Sequence, residues 1–209
     1  MEKTRPPYLL LDVDGVLNPF PGPSGSLPPE HRPHRVTYNG NPNVPVWLHP
    51  DHGIWLNALH SMDLVRPVWA TSWMGEADRL ISPRLGLGTL GHIDIGTPAD
   101  VLTRHPNGHL WKREPVATWA GDEPLVWIDD DFAQPDHDWA KQRAVDGVPT
   151  LLIQPDPYRG LQREHIDAVR LWAIAVLRDL HTNGKHDDHT RSGPPVPAGA
   201  NPSRGDRPR

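Results

Sequence analysis

Short apolar runs alternate with amphipathic stretches along most of the chain, and this alternation predicts strands and helices in turn. Four runs have the length and composition of buried strands: Tyr8–Asp12, Pro67–Thr71, Pro124–Asp129 and Thr150–Gln154. Other stretches carry apolar residues at helical spacing, most clearly His52–Met62 and Leu161–Leu180. Strands that alternate with helices are typical of a parallel sheet with helices on both faces. The sequence therefore predicts an α/β, Rossmann-like fold.

Weaker patterns predict four shorter helices. Gly75–Leu85 and His137–Val145 are expected to be helical. Another helix is expected to begin within Pro98–Arg104, with Thr97 as its N-cap. In Leu110–Ala120, we expect the helix at the N-terminal end of the segment.

Residues 19–50 break the alternation and predict a β-hairpin inserted after the first strand. Two β-prone runs, Arg35–Tyr38 and Val44–Leu48, flank Asn39–Pro42. An Asn-Gly pair between such runs is a hairpin signal, and the four-residue connection predicts a looser turn than two residues would give. We expect a small flap here and no large cap domain.

The C-terminal segment differs from the rest of the chain in composition. Proline is abundant in the whole chain, and a cluster of it follows residue 190. One valine is the only large apolar residue in 181–209, so this stretch cannot bury enough surface to offset chain entropy. The sequence predicts one domain over residues 1–182 and a disordered tail over 183–209.

Composition excludes several classes of protein. The 209 residues include no cysteine, which excludes disulfide frameworks, thiolate zinc sites and iron–sulfur clusters. A formal charge of −5 argues against strong bulk binding to nucleic acid. No apolar run approaches the roughly 18 residues that a membrane span needs, and no secretory signal is recognisable. We therefore expect a cytoplasmic protein without a membrane partner.

Polar side chains follow three of the predicted strands. Asp12 and Asp14 follow the first strand, Thr71 and Ser72 the second, and the acidic run Asp129–Asp131 the third. Open parallel sheets bind ligands at the carboxyl ends of their strands. Carboxylates that converge there repel one another unless a hard cation such as Mg²⁺ lies between them, and Mg²⁺ also prefers phosphate oxygens. These residues therefore favour phosphoryl chemistry.

Four segments in order resemble the signatures of haloacid dehalogenase-like (HAD) hydrolases. Asp12–Leu17 has the form Asp-x-Asp-Gly-Val-Leu of the first signature, and Val68–Ser72 is similar to the second. Lys112 stands in place for the third, and Trp127–Asp130 is similar to the fourth. The Thr-Ser-Trp and Trp-Ile-Asp-Asp-Asp sequences, with a small flap, resemble a subgroup whose relatives include HAD domains attached to RNA-repair proteins.

The resemblance implies a catalytic role for each matching residue. Asp12 would be a nucleophile that forms an aspartyl-phosphate, and Asp14 would act as general acid and then as general base. Thr71 would hydrogen-bond a phosphoryl oxygen, and Lys112 would neutralise charge. Gly15 would let the chain turn away beside the substrate. Two arginines, Arg104 and Arg113, are the alternatives to the lysine in the third motif.

The resemblance also implies a Mg²⁺ site. Asp12, the backbone carbonyl of Asp14 and Asp129 would hold the ion, with Asp130 as a supporting ligand. The run of three acids leaves the choice open, and we rank Asp129 first, Asp130 second and Asp131 third.

The implied activity is Mg²⁺-dependent phosphomonoester hydrolysis. The partner would be a phosphorylated substrate, either a nucleotide or another small molecule, or a nucleic-acid end. Ser72 and Trp73 are candidate substrate-binding residues; the Trp73 ring has two interpretations, as a stacking surface for a base or as packing for the flap. The alternatives for the whole protein are a phosphatase of a small metabolite and a non-catalytic binding module with the HAD fold.

Overall fold

A parallel four-stranded sheet lies at the centre of the protein. The computed structural model describes residues 5–96 and 106–189, of which 183–189 are described by their backbone alone. The strands are β1 (Tyr8–Leu11), β2 (Arg32–Tyr38), β3 (Asn41–Leu48), β4 (Arg66–Trp69), β5 (Leu125–Ile128) and β6 (Thr150–Ile153). Four of them lie side by side in the order β4-β1-β5-β6, and every neighbouring pair is parallel.

Helices cover both faces of this sheet, as predicted. They are α1 (Asp51–Ser61), α2 (Gly75–Leu80), α3 (Ser82–Leu85), α4 (Arg113–Ala120), α5 (Gln134–Val145) and α6 (Arg163–His189). Successive side chains of a strand point to opposite faces. Leu9 and Leu11 accordingly pack in one cluster with α1 and α6, whereas Leu10 packs in another with α4. The α/β fold is therefore confirmed.

The inserted segment forms the predicted hairpin, but its turn is tighter than expected. β2 and β3 pair antiparallel, and Tyr38 already pairs with Asn41. The turn thus has two residues, Asn39 and Gly40, whose φ angles are +48° and +75°. Positive φ at both positions is the geometry that an Asn-Gly pair favours, so Asn41 is free to join β3. The hairpin is the only element inserted between β1 and α1, and the described residues include no large cap domain.

Three histidines meet at the base of the flap. His31 precedes β2, His49 follows β3, and His52 lies in α1. The three ring centroids are 5.2–5.6 Å apart. The His52 Nε2 atom donates a hydrogen bond to the carbonyl oxygen of Leu161 at 2.9 Å. Both ends of the hairpin are therefore fastened at one place on the domain.

Two predicted helices are wrong in their position or extent, and proline explains both. In the segment 110–120 the helix occupies the C-terminal end, because Pro115 falls within the first turn of α4, where no backbone N–H is needed. The single helix predicted over Gly75–Leu85 is divided into α2 and α3 at Ile81. Pro83 has no N–H to continue the hydrogen-bond ladder of α2.

Two predictions fall at the edge of the described residues or outside them. The helix start predicted within Pro98–Arg104 lies outside. The backbone of α6 continues through His189, beyond the predicted boundary at residue 182. The tail from residue 190 also lies outside the described residues, so the domain boundary stays a prediction.

Candidate active site

The carboxyl ends of three neighbouring strands bring the predicted polar residues together. β1 lies between β4 and β5, so the residues that follow these strands share one edge of the sheet. Asp12 directly follows β1, Asp129 directly follows β5, and Thr71 lies just beyond β4. All three are buried: Asp12 is 6% exposed, and the other two are 0% exposed. Three polar groups buried at one place need partners, which identifies this edge as the candidate site.

Lys112 supplies a cation between two of the carboxylates. It immediately precedes α4, and its side chain is buried. Its Nζ atom donates hydrogen bonds to Asp12 Oδ2 and, at 2.8 Å, to Asp129 Oδ2. Burial alone would lower the pKa of Lys112, but the two carboxylates hold that pKa above its usual value. The amine therefore stays protonated. Lys112, the residue predicted for the third motif, thus contacts both carboxylates of the candidate site.

Only one of the two arginine alternatives to Lys112, Arg113, lies within the described residues. Arg113 Nη1 donates to the carbonyl oxygen of Pro135 at 3.1 Å, so this guanidinium contacts the start of α5. Arg104 lies outside the described residues.

A cluster of three carboxylates forms the candidate metal centre. Asp12, Asp129 and Asp130 each offer an oxygen atom, and these atoms lie within 4.8 Å of one another. Burial, opposed by Lys112, raises the pKa of Asp129 to about 7. Burial and the Asp12 charge raise the pKa of Asp130 to about 6. Three carboxylates beside a single ammonium group have excess negative charge, and an oxygen-only set of this kind fits Mg²⁺.

The neighbouring acids have different surroundings. Among the described residues, the cluster includes neither Asp131 nor the carboxylate of Asp14. Asp131 is exposed, and its backbone N–H donates to Asp129 Oδ1 at 3.2 Å. The backbone carbonyl of Asp14 as a metal ligand stays a prediction.

Both carboxylate oxygens of Asp14 accept hydrogen bonds. Trp73 Nε1 donates to Oδ2 at 2.8 Å, and Asn18 Nδ2 donates to Oδ1 at 2.8 Å. Burial raises the pKa of Asp14, and these two hydrogen bonds only partly oppose that increase. A raised pKa is the direction that a carboxylic acid needs in order to carry a proton near neutral pH.

Gly15 makes room for Asp130. Its φ angle is +73°, which agrees with the predicted turn. A Cβ atom at this position would lie 2.2 Å from Asp130 Cγ, so any side chain here would displace the third carboxylate of the cluster. Sequence reasoning missed this contact, although the Asp-x-Asp-Gly motif contained its signal.

Comparison with known protein families assigns the chain to one of them. The family described as the HAD domain in Swiss Army Knife RNA repair proteins matches residues 8–166. That range covers most of the chain and includes every site residue described above. The chain belongs to this HAD family. No curated protein and no solved structure matches it.

The flap of this HAD domain contacts the site through Tyr38, which sequence reasoning did not single out. The Tyr38 ring stacks on Trp73 with a centroid separation of 4.2 Å, and its hydroxyl donates to the carbonyl oxygen of Ser72 at 3.3 Å. Trp73 is 4% exposed. This burial favours the packing interpretation of Trp73 over a stacking surface for a base, whereas Ser72 is only partly buried.

The described part of the HAD domain contains no helix that is both long and apolar enough to cross a membrane.

Proposed function

We propose that this HAD domain hydrolyses phosphomonoesters in a Mg²⁺-dependent reaction that uses Asp12 as the nucleophile. The observation that carries the proposal is the buried contact of Lys112 with Asp12 and Asp129, beside the carboxylate of Asp130. A phosphate ester brings further negative charge to these carboxylates. The ammonium group and a divalent cation together would offset that charge, and this is the requirement of phosphoryl transfer.

The first half-reaction transfers the phosphoryl group to the protein. An Asp12 carboxylate oxygen attacks phosphorus while the bond from phosphorus to the leaving oxygen breaks. Asp14 in its protonated form gives its proton to that leaving oxygen, and the free alcohol departs. Lys112 and the Thr71 hydroxyl would hold the phosphoryl oxygens in line for attack.

The second half-reaction returns the protein to its starting state. Asp14 is now a carboxylate and takes a proton from water, whose oxygen attacks phosphorus. The bond from phosphorus to Asp12 breaks, inorganic phosphate leaves, and Asp14 is again protonated. One residue acts as acid and then as base, which fits a carboxyl group whose pKa burial raises.

The proposed Mg²⁺ ligands are Asp12, Asp129 and Asp130, together with the backbone carbonyl of Asp14. When bound, the ion supplies positive charge beside the phosphoryl oxygens and reduces their repulsion by the carboxylates. Asp129 is fully buried, whereas Asp130 is partly accessible. Of these two ligands, Asp130 is therefore the one that a water molecule could more readily replace at the ion.

We further propose a phosphorylated nucleic-acid end as the substrate class. The matching family is described from RNA repair proteins, and a small hairpin in place of a large cap leaves room for a polymer. Arg32 and Arg35 are exposed on the flap, and the exposed Arg84 donates to the carbonyl oxygen of Arg35 at 3.2 Å. Arginines at such positions suit contacts with a phosphate backbone. These three arginines form a local group of positive charges on a chain whose net charge is −5, so the proposal does not require strong nucleic-acid binding by the protein as a whole.

Phosphate release tests the proposed function. The panel holds nucleotides, small phosphate esters, and RNA and DNA oligonucleotides with 3′- or 5′-phosphates, each with Mg²⁺ or with a chelator. We expect Mg²⁺-dependent release that Asp12→Asn abolishes and that Asp138→Asn, a change at an exposed carboxylate, leaves intact. Folded protein that releases phosphate from no member of the panel would favour the binding-module alternative. Release from small metabolites alone would contradict the nucleic-acid-end proposal.

A further inference from the structure

The flap contacts the two residues that donate hydrogen bonds to the Asp14 carboxyl group. As described, Trp73 donates to one oxygen of the Asp14 carboxyl group and Asn18 donates to the other. Two donors on two different oxygens fix the rotation of the carboxyl group about its terminal bond. Each oxygen still has a second lone-pair site, so the group can carry a proton while both hydrogen bonds persist.

Each of these donors is in turn contacted by a different strand of the hairpin. Tyr38, at the end of β2, stacks on the Trp73 ring. The backbone N–H of Trp47, in β3, donates to Asn18 Oδ1 at 2.8 Å. That second contact also orients the Asn18 amide, since an oxygen that accepts from the flap directs the amide nitrogen toward Asp14. The two strands thus reach the same carboxyl group by separate routes.

We propose that the flap positions the Asp14 carboxyl group for proton transfer to the leaving oxygen, and that Trp73 and Asn18 are the positioning residues. The inference rests on the proposed function, because it assigns these residues a part in the general-acid step. It differs from a packing role, because packing alone requires no donor on either oxygen. A substrate that contacts the hairpin would in this way affect the orientation of the Asp14 carboxyl group, which protonates its leaving oxygen.

Leaving-group dependence separates positioning from folding. Departure of p-nitrophenolate needs little protonation, whereas departure of an alkoxide from an alkyl phosphate needs a well-placed acid. Trp73→Phe removes the N–H donor and retains an aromatic ring against Tyr38. We expect kcat/KM for the alkyl phosphate to fall about tenfold or more relative to that for p-nitrophenyl phosphate, since a positioned acid contributes about 10²–10⁴ in rate. The loss should lie in kcat rather than in KM.

The second variant acts on the other oxygen of the carboxyl group. Asn18→Ala removes the Nδ2 donor, which takes no part in the Trp73–Tyr38 stack, and we expect the same selective loss on the alkyl ester. It also keeps the inference testable should Trp73→Phe fail to fold, which circular dichroism and thermal unfolding would show.

The matched control is Trp127→Phe. Trp127 is also buried, but its Nε1 atom has no hydrogen-bond partner among the described residues, and its ring lies in the other core cluster. We expect this variant to change both esters by the same factor. Equal losses on both esters in the Trp73 and Asn18 variants would overturn the inference and leave the proposed function intact. A wild type that hydrolyses neither ester and releases phosphate from no phosphorylated oligonucleotide would overturn both.

Discussion

Gly15 lies so close to Asp130 that a methyl group on the glycine would occupy the place of the carboxylate. The replacement Gly15→Ala therefore has two costs, one from backbone strain at positive φ and one from the displaced Asp130 side chain. We expect a loss of about 1–3 kcal/mol in the free energy of unfolding, together with weaker stabilisation by Mg²⁺. Denaturant unfolding with and without Mg²⁺ measures both effects.

Gly25 offers a control for the strain alone. Its φ angle is +75°, close to that of Gly15, but a Cβ atom there would meet nothing within 4 Å. Gly25→Ala should lower the stability by the strain cost and leave the response to Mg²⁺ unchanged. Equal responses to Mg²⁺ in the two variants would contradict the assignment of Asp130 to the cation site.

Lys112→Met tests the buried ion pairs. The change leaves Asp12 and Asp129 without their ammonium partner, and we expect it to cost about 3–5 kcal/mol at neutral pH. The deficit should shrink as the pH falls, because the unpaired carboxylates become neutral by taking up protons. Lys141→Met is the control: Lys141 is exposed and lies 3.7 Å from Asp138, so its loss should cost no more than about 1 kcal/mol. Urea unfolding at several pH values provides the comparison.

Mg²⁺ should stabilise the folded protein through Asp129. At a concentration of about 100 times its Kd, the ion would add roughly 2.7 kcal/mol to the free energy of unfolding. Asp129→Asn removes one ligand charge and should abolish most of that gain, whereas Asp156→Asn, outside the carboxylate cluster, should retain it. Thermal unfolding during a Mg²⁺ titration measures the difference. A full response in the Asp129 variant would show that Mg²⁺ binds elsewhere.

Acid should weaken the histidine cluster at the base of the flap. Burial lowers the pKa of His31 to about 4 and that of His52 to about 3, whereas an unfolded histidine has a pKa of about 6.5. Between about pH 6.5 and pH 4 the unfolded chain therefore binds protons that the folded protein excludes. The contribution of these two histidines to the free energy of unfolding is fully present above pH 6.5 and falls as the pH decreases through this window.

His31→Leu tests this expectation. The change removes a buried ring whose two nitrogen atoms have no hydrogen-bond partner among the described residues. We expect the free energy of unfolding to depend less on pH between 6.5 and 4 than it does in the wild type. His60→Leu, at an exposed position, should leave that dependence unchanged. Denaturant unfolding across the window would contradict the expectation if both variants retained the wild-type slope.

The sheet and the positions of its polar residues could be predicted because they depend on short stretches of sequence. The segment from Tyr8 to Leu11 is apolar and becomes fully buried over its last three residues, and Asp12 follows where the strand ends. In a parallel sheet, residues that follow neighbouring strands must meet at one edge. Lys112 could be placed only through the family resemblance, since nothing near it in sequence directs its side chain to Asp12, 100 positions away.

The sequence could not decide where one local signal permits two structures. Pro115 can end a helix or occupy its first turn, and only the packing of α4 on the sheet decides between them. Trp73 could face a substrate or the flap. Its environment depends on Tyr38, which is distant in sequence, and on the length of the hairpin turn that places Tyr38. Contacts of this kind carry no periodicity that a single sequence reveals.

The hairpin leaves the domain and returns to it at the histidine cluster, and this has a consequence for how the protein can evolve. An insertion whose two ends are neighbours can be lengthened, shortened or exchanged without shifting any pairing in the parallel sheet. The candidate carboxylates follow the strands of the sheet, whereas the surface beside them belongs to the insertion, which reaches Asp14 only through the contacts of Tyr38 and Trp47 described above. New specificities can therefore arise in the hairpin while the strands that carry the carboxylates stay as they are.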